Sequence, residues 1–290
     1  MLLFARMSTS AAYKGFVSTV SPTGGKVRDI LNSGRGTIYE SVSANDLEAP
    51  VIVLMRQYAV GERNLPQLFE GRFNSQAWRV VPGANGLQGP GFISPNNLNI
   101  VFSMATQDQP AQYSLWVSPL ANGEVRKLTE PADGSWDASP SWRPDNTAVL
   151  FTRIRRSRTD GRLHVALMRV DLQTNTTTEV FGEQEGVVAG AYSPDGKEIA
   201  FWSKYGLEIL NITTLNRTIV QPTSALPGRQ YYGGGGISWS RQGDILALPF
   251  LNGVTKMYEL MTISRDGTSV KTVYSSQEFR IFSVTFVPTK

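Results

Sequence analysis

Ser193-Pro194-Asp195-Gly196-Lys197-Glu198-Ile199-Ala200-Phe201 is the stretch on which the fold turns. Proline presets φ, Asp and Gly supply a bend, and an apolar run follows at once, so the string reads as a tight turn between two strands. It recurs. Ser94-Pro95-Asn96-Asn97 leads to Ile100-Val101-Phe102, Arg143-Pro144-Asp145-Asn146 to Val149-Leu150-Phe151, and Ser240-Arg241-Gln242-Gly243 to Leu246-Ala247-Leu248. A fainter copy, Ser43-Ala44-Asn45-Asp46, precedes Val51-Ile52-Val53-Leu54 after a longer turn.

The sixth copy is divided between the two ends of the chain. Val284-Thr285-Phe286-Val287-Pro288 is a strand with the start of the same turn, and Leu2-Leu3-Phe4-Ala5 is the matching second strand. Positions 43, 94, 143, 193, 240 and 287 repeat at about 48 residues, and the step from 287 through the end and back to 43 has about the same length. An open stack has no reason to make that step match, whereas a closed ring requires it.

The second half of each repeat agrees. Tyr113 to Val117, the turn Ala121-Asn122-Gly123 and Val125 to Leu128 form one pair of alternating strands, and Met257 to Ile263, Arg265-Asp266-Gly267 and Val270 to Tyr274 form another. Period-2 alternation with turns every 8–12 residues or so predicts four antiparallel strands per unit and no long helix. The expected fold is all-β: one domain over 1–290, a six-bladed β-propeller of four-stranded antiparallel blades, closed by N-terminal strands pairing with the C-terminal strand. The blades are expected over 37–85, 88–132, 136–184, 187–225, 234–276, and 279–290 together with 2–31.

Composition narrows the chemistry. The 290 residues contain no Cys, which excludes disulfides, thiolate nucleophiles and thiolate metal sites, and a single histidine, His164, which excludes any site needing two. Lys+Arg 28 against Asp+Glu 24 leaves +4, too little for a dedicated nucleic-acid binder. The amino end has an apolar run short of the ~7–15 residues of a signal-peptide core, and nothing approaches the ~18 apolar residues of a membrane helix, so no membrane insertion is expected.

The repeats of the Ser-Pro-Asp-Gly-Lys type, spread over essentially the whole chain, make it resemble the TolB-like six-bladed propellers. That resemblance implies a module that engages partner proteins in the bacterial envelope, and a periplasmic or otherwise extracytoplasmic location if a signal has been removed.

Aromatic residues just before the turns, Phe92, Trp142, Tyr192, Trp239 and Phe286, are expected to pack between blades, and the turn Asp and Asn residues to shape the bend. Binding residues are sought instead in the connections from each outermost strand to the next innermost one, which open on one face around the channel. Those connections carry Tyr39, Trp136 with Asp137, Arg229 with Tyr231 and Tyr232 before the run Gly233 to Gly236, and Phe279 with Arg280. Tyr, Trp and Arg are the usual anchors of a binding surface. The glycine run leads into a strand, not a helix, and so reads as a loop or a close backbone approach rather than a phosphate cradle. Arg153, Arg155, Arg156, Arg158 and Arg162, between the second and third strands of one blade, form a candidate patch for an anionic partner.

Catalytic patterns are missing from the sequence. Gly236-Ile237-Ser238-Trp239-Ser240 lacks the last Gly of a nucleophile elbow, and no zinc, phosphate-loop or EF-hand string occurs. No cofactor, metal or catalytic residue is therefore expected. The reading is a non-catalytic binding or scaffold module that meets a protein through the loop face and channel mouth, as a monomer or a domain of a larger chain. The alternative is a carbohydrate-active or peptide-processing enzyme, or its accessory propeller, with a glycan or peptide in the central channel.

Overall fold

The computed structural model describes residues 1–9, 14–33, 37–59, 62–63, 66–75, 77–81, 83, 86–109, 112–120, 124–184, 187–231 and 236–288. Among them, six antiparallel sheets are built of strands taken from inside outward. Blade 1 is β4 (Thr37–Ala44), β5 (Val51–Ala59), β7 (Gln67–Gly71) and β8 (Arg79–Val80), with a short β6 (Glu62–Arg63) on the end of β5. Blade 2 is β9 (Leu87–Ile93), β10 (Asn99–Ala105), β11 (Ser114–Pro119) and β12 (Arg126–Lys127). Blade 3 is β13 (Ser135–Trp142), β14 (Ala148–Arg156), β15 (Leu163–Asp171) and β16 (Thr177–Gln184). Blade 4 is β17 (Val188–Tyr192), β18 (Glu198–Ser203), β19 (Gly206–Asn211) and β20 (Arg217–Pro222).

In blade 5 two short pieces, β21 (Arg229–Tyr231) and β22 (Ser238–Trp239), share the innermost place and both pair with β23 (Ile245–Asn252), followed by β24 (Tyr258–Ser264) and β25 (Val270–Ser276). Blade 6 joins the chain ends. β26 (Phe279–Phe286) is innermost, beside β1 (Leu2–Ser8), β2 (Gly15–Val20) and β3 (Arg28–Asn32). Leu2 lies opposite Phe286 and Phe4 opposite Val284, and the Met1 amine donates to Val287 O at 2.9 Å. The ring thus closes by backbone pairing, which removes two sheet edges that would otherwise be open. Neighbouring innermost strands touch in the order β26, β4, β9, β13, β17, β22 and back to β26.

The core is divided among the seams. Six apolar clusters are found among the described residues, each joining one blade to the next. The apolar triplet after each turn explains why: its third residue, Phe4, Val53, Phe102, Phe151, Phe201 or Leu248, is wholly buried on a second strand. Between inner strands, hydroxyl and indole groups bridge blade to blade. Ser283 accepts from Val42 N, Ser43 from Ile93 N and Ser238 from Phe286 N, at 2.9–3.0 Å, while Trp142 donates to Phe92 O and Trp239 to Ala191 O. Gly190 serves the blade 3–blade 4 seam differently, since an added Cβ would lie 3.0 Å from both Leu150 and Leu167.

The turns between first and second strands form a linked rim at one end of the channel. Their fourth residue takes the left-handed conformation that Asn and Gly tolerate best: Asn97, Asn146, Gly196 and Gly243 have φ between 59° and 76°. Ser193 Oγ donates to Asp195 at 2.6 Å and accepts from Glu198 N at 3.0 Å, and Ser94 and Ser240 repeat the pattern. From blade 1 to blade 5 each turn also meets the next. Asn45 donates to Ser94 O and Asn97, Asn146 accepts from Asn96 N, Gly196 lies against Pro144, and Gly243 against Pro194.

Candidate functional site

At the opposite end of the channel the innermost strands lose their regular register. One additional residue is inserted into each of five of them: Glu40 in β4, one residue between Gln88 and Gly91 in β9, one between Ala138 and Ser141 in β13, Ala189 in β17 and Phe282 in β26. Blade 5 carries the same defect enlarged, because Tyr231 pairs with Phe250 and Ser238 with Ala247 while the intervening chain is far longer on the inner side. A bulge bends the strand and re-aims the side chains beside it. The fold therefore places six defects at one level around the mouth.

The residues sought in connecting loops belong to these strands. Tyr39 is in β4, Trp136 and Asp137 in β13, Arg229 and Tyr231 in β21, and Phe279 and Arg280 in β26. β4 begins at Thr37 and β26 at Phe279, and in each the bulge interrupts the alternation midway. The blade 5 strand begins at Arg229 rather than near 234. Tyr232 and Gly233 to Gly235 lie outside the described residues.

Three expected contact residues have partners within the fold. Asp137 is fully buried, and Arg153 spans its two oxygens at 2.8 and 2.9 Å, so this carboxylate clamps β13 to β14 and does not face a partner. Arg153 is correspondingly withdrawn from the anionic-partner patch. Arg229 reaches Glu259 at 2.6 Å, and Glu259 is also held by Asn252 at 3.2 Å. Buried charge demands such pairing, and sequence spacing gave no sign of which carboxylate each arginine would meet.

Tyr231 stacks on Trp202 with centroids 5.7 Å apart and meets Phe250 edge-on. Its hydroxyl is buried with no hydrogen-bond partner among the described residues, and burial pushes its pKa up. Tyr39 is half-buried, and burial raises its pKa also. Trp136, opposite Ile154, is half-buried. Phe279 meets Phe16 edge-on at 5.5 Å, and the Arg6 guanidinium sits 4.4 Å above its ring while bonding Ser18 and Asp29. Arg280 lies 5.7 Å from the rings of Tyr258 and Phe282.

Phe282 is the mouth residue that sequence reading passed over. Its signal was present: as the inserted residue of a bulge it breaks the period-2 pattern of Ile281, Ser283 and Val284. Arg6 was also missed, since a charge inside the buried run of β1 is visible only once its partners on β2, β3 and β25 are in place.

The arginines of blade 3 are not all at a hairpin tip. Arg153, Arg155 and Arg156 lie within β14, and the tip proper is Ser157 to Arg162, closed by Ser157 N donating to Arg162 O at 2.8 Å. Among the described residues, no group of three His, Asp or Glu side chains could hold a metal, and no helix is long and apolar enough to cross a membrane.

These features define a six-bladed β-propeller whose innermost strands are bulged at one end of the channel, and solved structures share its course. TolB from Acinetobacter baumannii superposes with a TM-score of 0.70 at 16% identity, over 98% of this chain and 65% of that one. A TolB-type structure from Agrobacterium tumefaciens gives 0.68 at 12% identity over 99% of both chains. An oligogalacturonate lyase from Vibrio parahaemolyticus gives 0.57 at 13% identity over 82% of this chain and 70% of that one. The chain spans about two thirds of the length of the Acinetobacter protein and nearly all of the Agrobacterium one. No protein-family model matches the sequence, and no curated protein does. The fold is that of a TolB-like propeller.

Proposed function

We propose that this propeller is a non-catalytic binding module that engages a protein partner at the channel mouth in the bacterial envelope. The observation that carries the reading is the set of residues beside the bulges: Tyr39, Trp136, Phe279 and Phe282 are half-buried on three of the innermost strands, with Arg280 5.7 Å from the Phe282 ring. Half-buried aromatics on a rigid sheet offer a large contact area with little entropy left to lose on binding. Likeness of fold to TolB structures supports a protein partner and a periplasmic setting.

The test is capture of a partner from a bacterial envelope fraction by the immobilised chain, repeated with Trp136→Ala and Phe282→Ala. Capture should fall with both variants while their melting temperatures show them folded. Equal capture by wild type and both variants would overturn the mouth assignment. Release of unsaturated sugars from oligogalacturonides by the wild-type chain would overturn the non-catalytic reading.

A further inference from the structure

The hairpin between β14 and β15 is the most unequal feature of the six repeats. The equivalent turns are close to neutral: 106–113 holds one Asp and no basic residue, Lys204, Lys256 and Lys14 are alone in blades 4, 5 and 6, and Glu62 and Arg63 balance in blade 1. In blade 3, Arg155, Arg156, Arg158 and Arg162 are exposed, with Arg156 Nη1 donating to Gly161 O at 3.3 Å, and among the described residues they neighbour the carboxylates of Asp160 and of Asp133, which precedes the Gly134 carbonyl that accepts from Arg156 N. Asp160 is turned back into the tip, where it accepts from Arg162 N at 3.0 Å, and its oxygen is 3.8 Å from Arg162 Nε.

The cations stand on a rigid support. β14 and β15 pair without a break from Ala148 opposite Asp171 to Arg156 opposite Leu163, and Gly161, at φ 73°, closes the tip with a bond from its N–H to Ser157 O at 3.1 Å. Ser135 faces Arg155 across β13, so the tip projects at the mouth end of blade 3. All of these cations are arginines, whose planar forks match a carboxylate with two parallel bonds. Leu163 is 43% exposed and opposite Arg156 in register, so an apolar contact is offered beside a cation. No aromatic residue occurs from 156 to 163 on which a base or sugar ring could stack.

We infer that this hairpin docks an acidic protein segment that carries an apolar residue among its carboxylates. It is a second contact surface, separate from the aromatic mouth. Charge complementarity selects the acid, and Leu163 together with the absence of rings selects a peptide over a polyanionic glycan or nucleic acid.

The experiment uses the full chain and a fluorescein-labelled peptide of Glu-Glu-Leu repeats, read by anisotropy. Wild type should bind, more weakly as salt is raised, because exposed charges are screened. The triple variant Arg156→Ser/Arg158→Ser/Arg162→Ser should bind about tenfold or more weakly with an unchanged melting temperature. Leu163→Ser should weaken this peptide and leave an all-Glu peptide unaffected. Trp136→Ala should leave peptide binding intact, which separates failure here from failure at the mouth. No binding by wild type, equal binding by the triple variant, loss with Trp136→Ala, or tighter binding of a sulfated polysaccharide or oligonucleotide than of the peptide would each overturn the inference.

Discussion

The two ends of the channel are built by opposite rules. At the turn end, the same four-residue device is used repeatedly, its side chains are satisfied locally, and consecutive turns interlock through Asn45, Asn146, Pro144 and Pro194. At the mouth end, every inner strand is broken by an insertion, and the residues beside it differ from blade to blade: Glu40, Ala189, Phe282, and a glycine-rich run in blade 5. Regular repetition at the turns holds the ring together, and the insertions free the opposite rim to vary. Repetition and variation thereby fall at different ends of the same strands.

That contrast can be broken in graded ways. The largest loss is expected on the strand that both ends depend on. Phe4→Ala empties a wholly buried site in the closing strand and should cost about 3–5 kcal/mol in denaturant unfolding; a value near zero would show that closure does not stabilise the ring. At the turn end, Asn45→Ala removes two bonds from blade 1 to blade 2 and should cost about 1–3 kcal/mol. Trp239→Phe keeps most of the packing and removes the indole bond to Ala191 O, for about 1 kcal/mol.

Acid should act on the turns. The Ser193 hydroxyl and the Lys197 N–H hold the Asp195 carboxyl below the usual range, and the Ser264 hydroxyl with the Thr268 N–H holds Asp266 at about 2. A carboxyl depressed in the folded state contributes stability above its unfolded pKa of 3.8 and loses that contribution as pH falls through the folded value. The melting temperature should therefore drop between about pH 4 and pH 2. Asp195→Asn/Asp266→Asn should start lower at neutral pH and change less across that window; an unchanged acid profile would detach the turns from acid stability. The smallest effect belongs to the mouth. Val188→Ser, at an exposed position on β17, should alter stability by less than about 0.5 kcal/mol, and a larger loss would mean that the mouth also supports the ring.

Much of this architecture was legible in one dimension because a propeller repeats a local device. The turn residues advertise their backbone angles, the apolar triplet advertises burial, and the matching step across the chain ends advertises closure between β1 and β26. The mouth was less legible. Residue type marks Tyr39, Trp136, Phe279 and Arg280, but a bulge imitates the end of a strand in the alternation of side chains, so that these strand residues read as loop. Asp137 and Arg229 looked like surface anchors for the same reason, since a carboxylate or guanidinium carries no mark of the partner that will bury it.

The sequence by itself determined the ring, its sixfold count and the strand that closes it, because turn chemistry and period-2 burial are properties of neighbouring residues. Only the tertiary structure decided which charges are paired in the interior and which stand exposed. Arg153 and Arg156 are three positions apart on the same strand and chemically identical, yet one lies against a buried carboxylate supplied by the adjacent strand and the other is exposed at the strand's end, and that difference is created by cross-strand register.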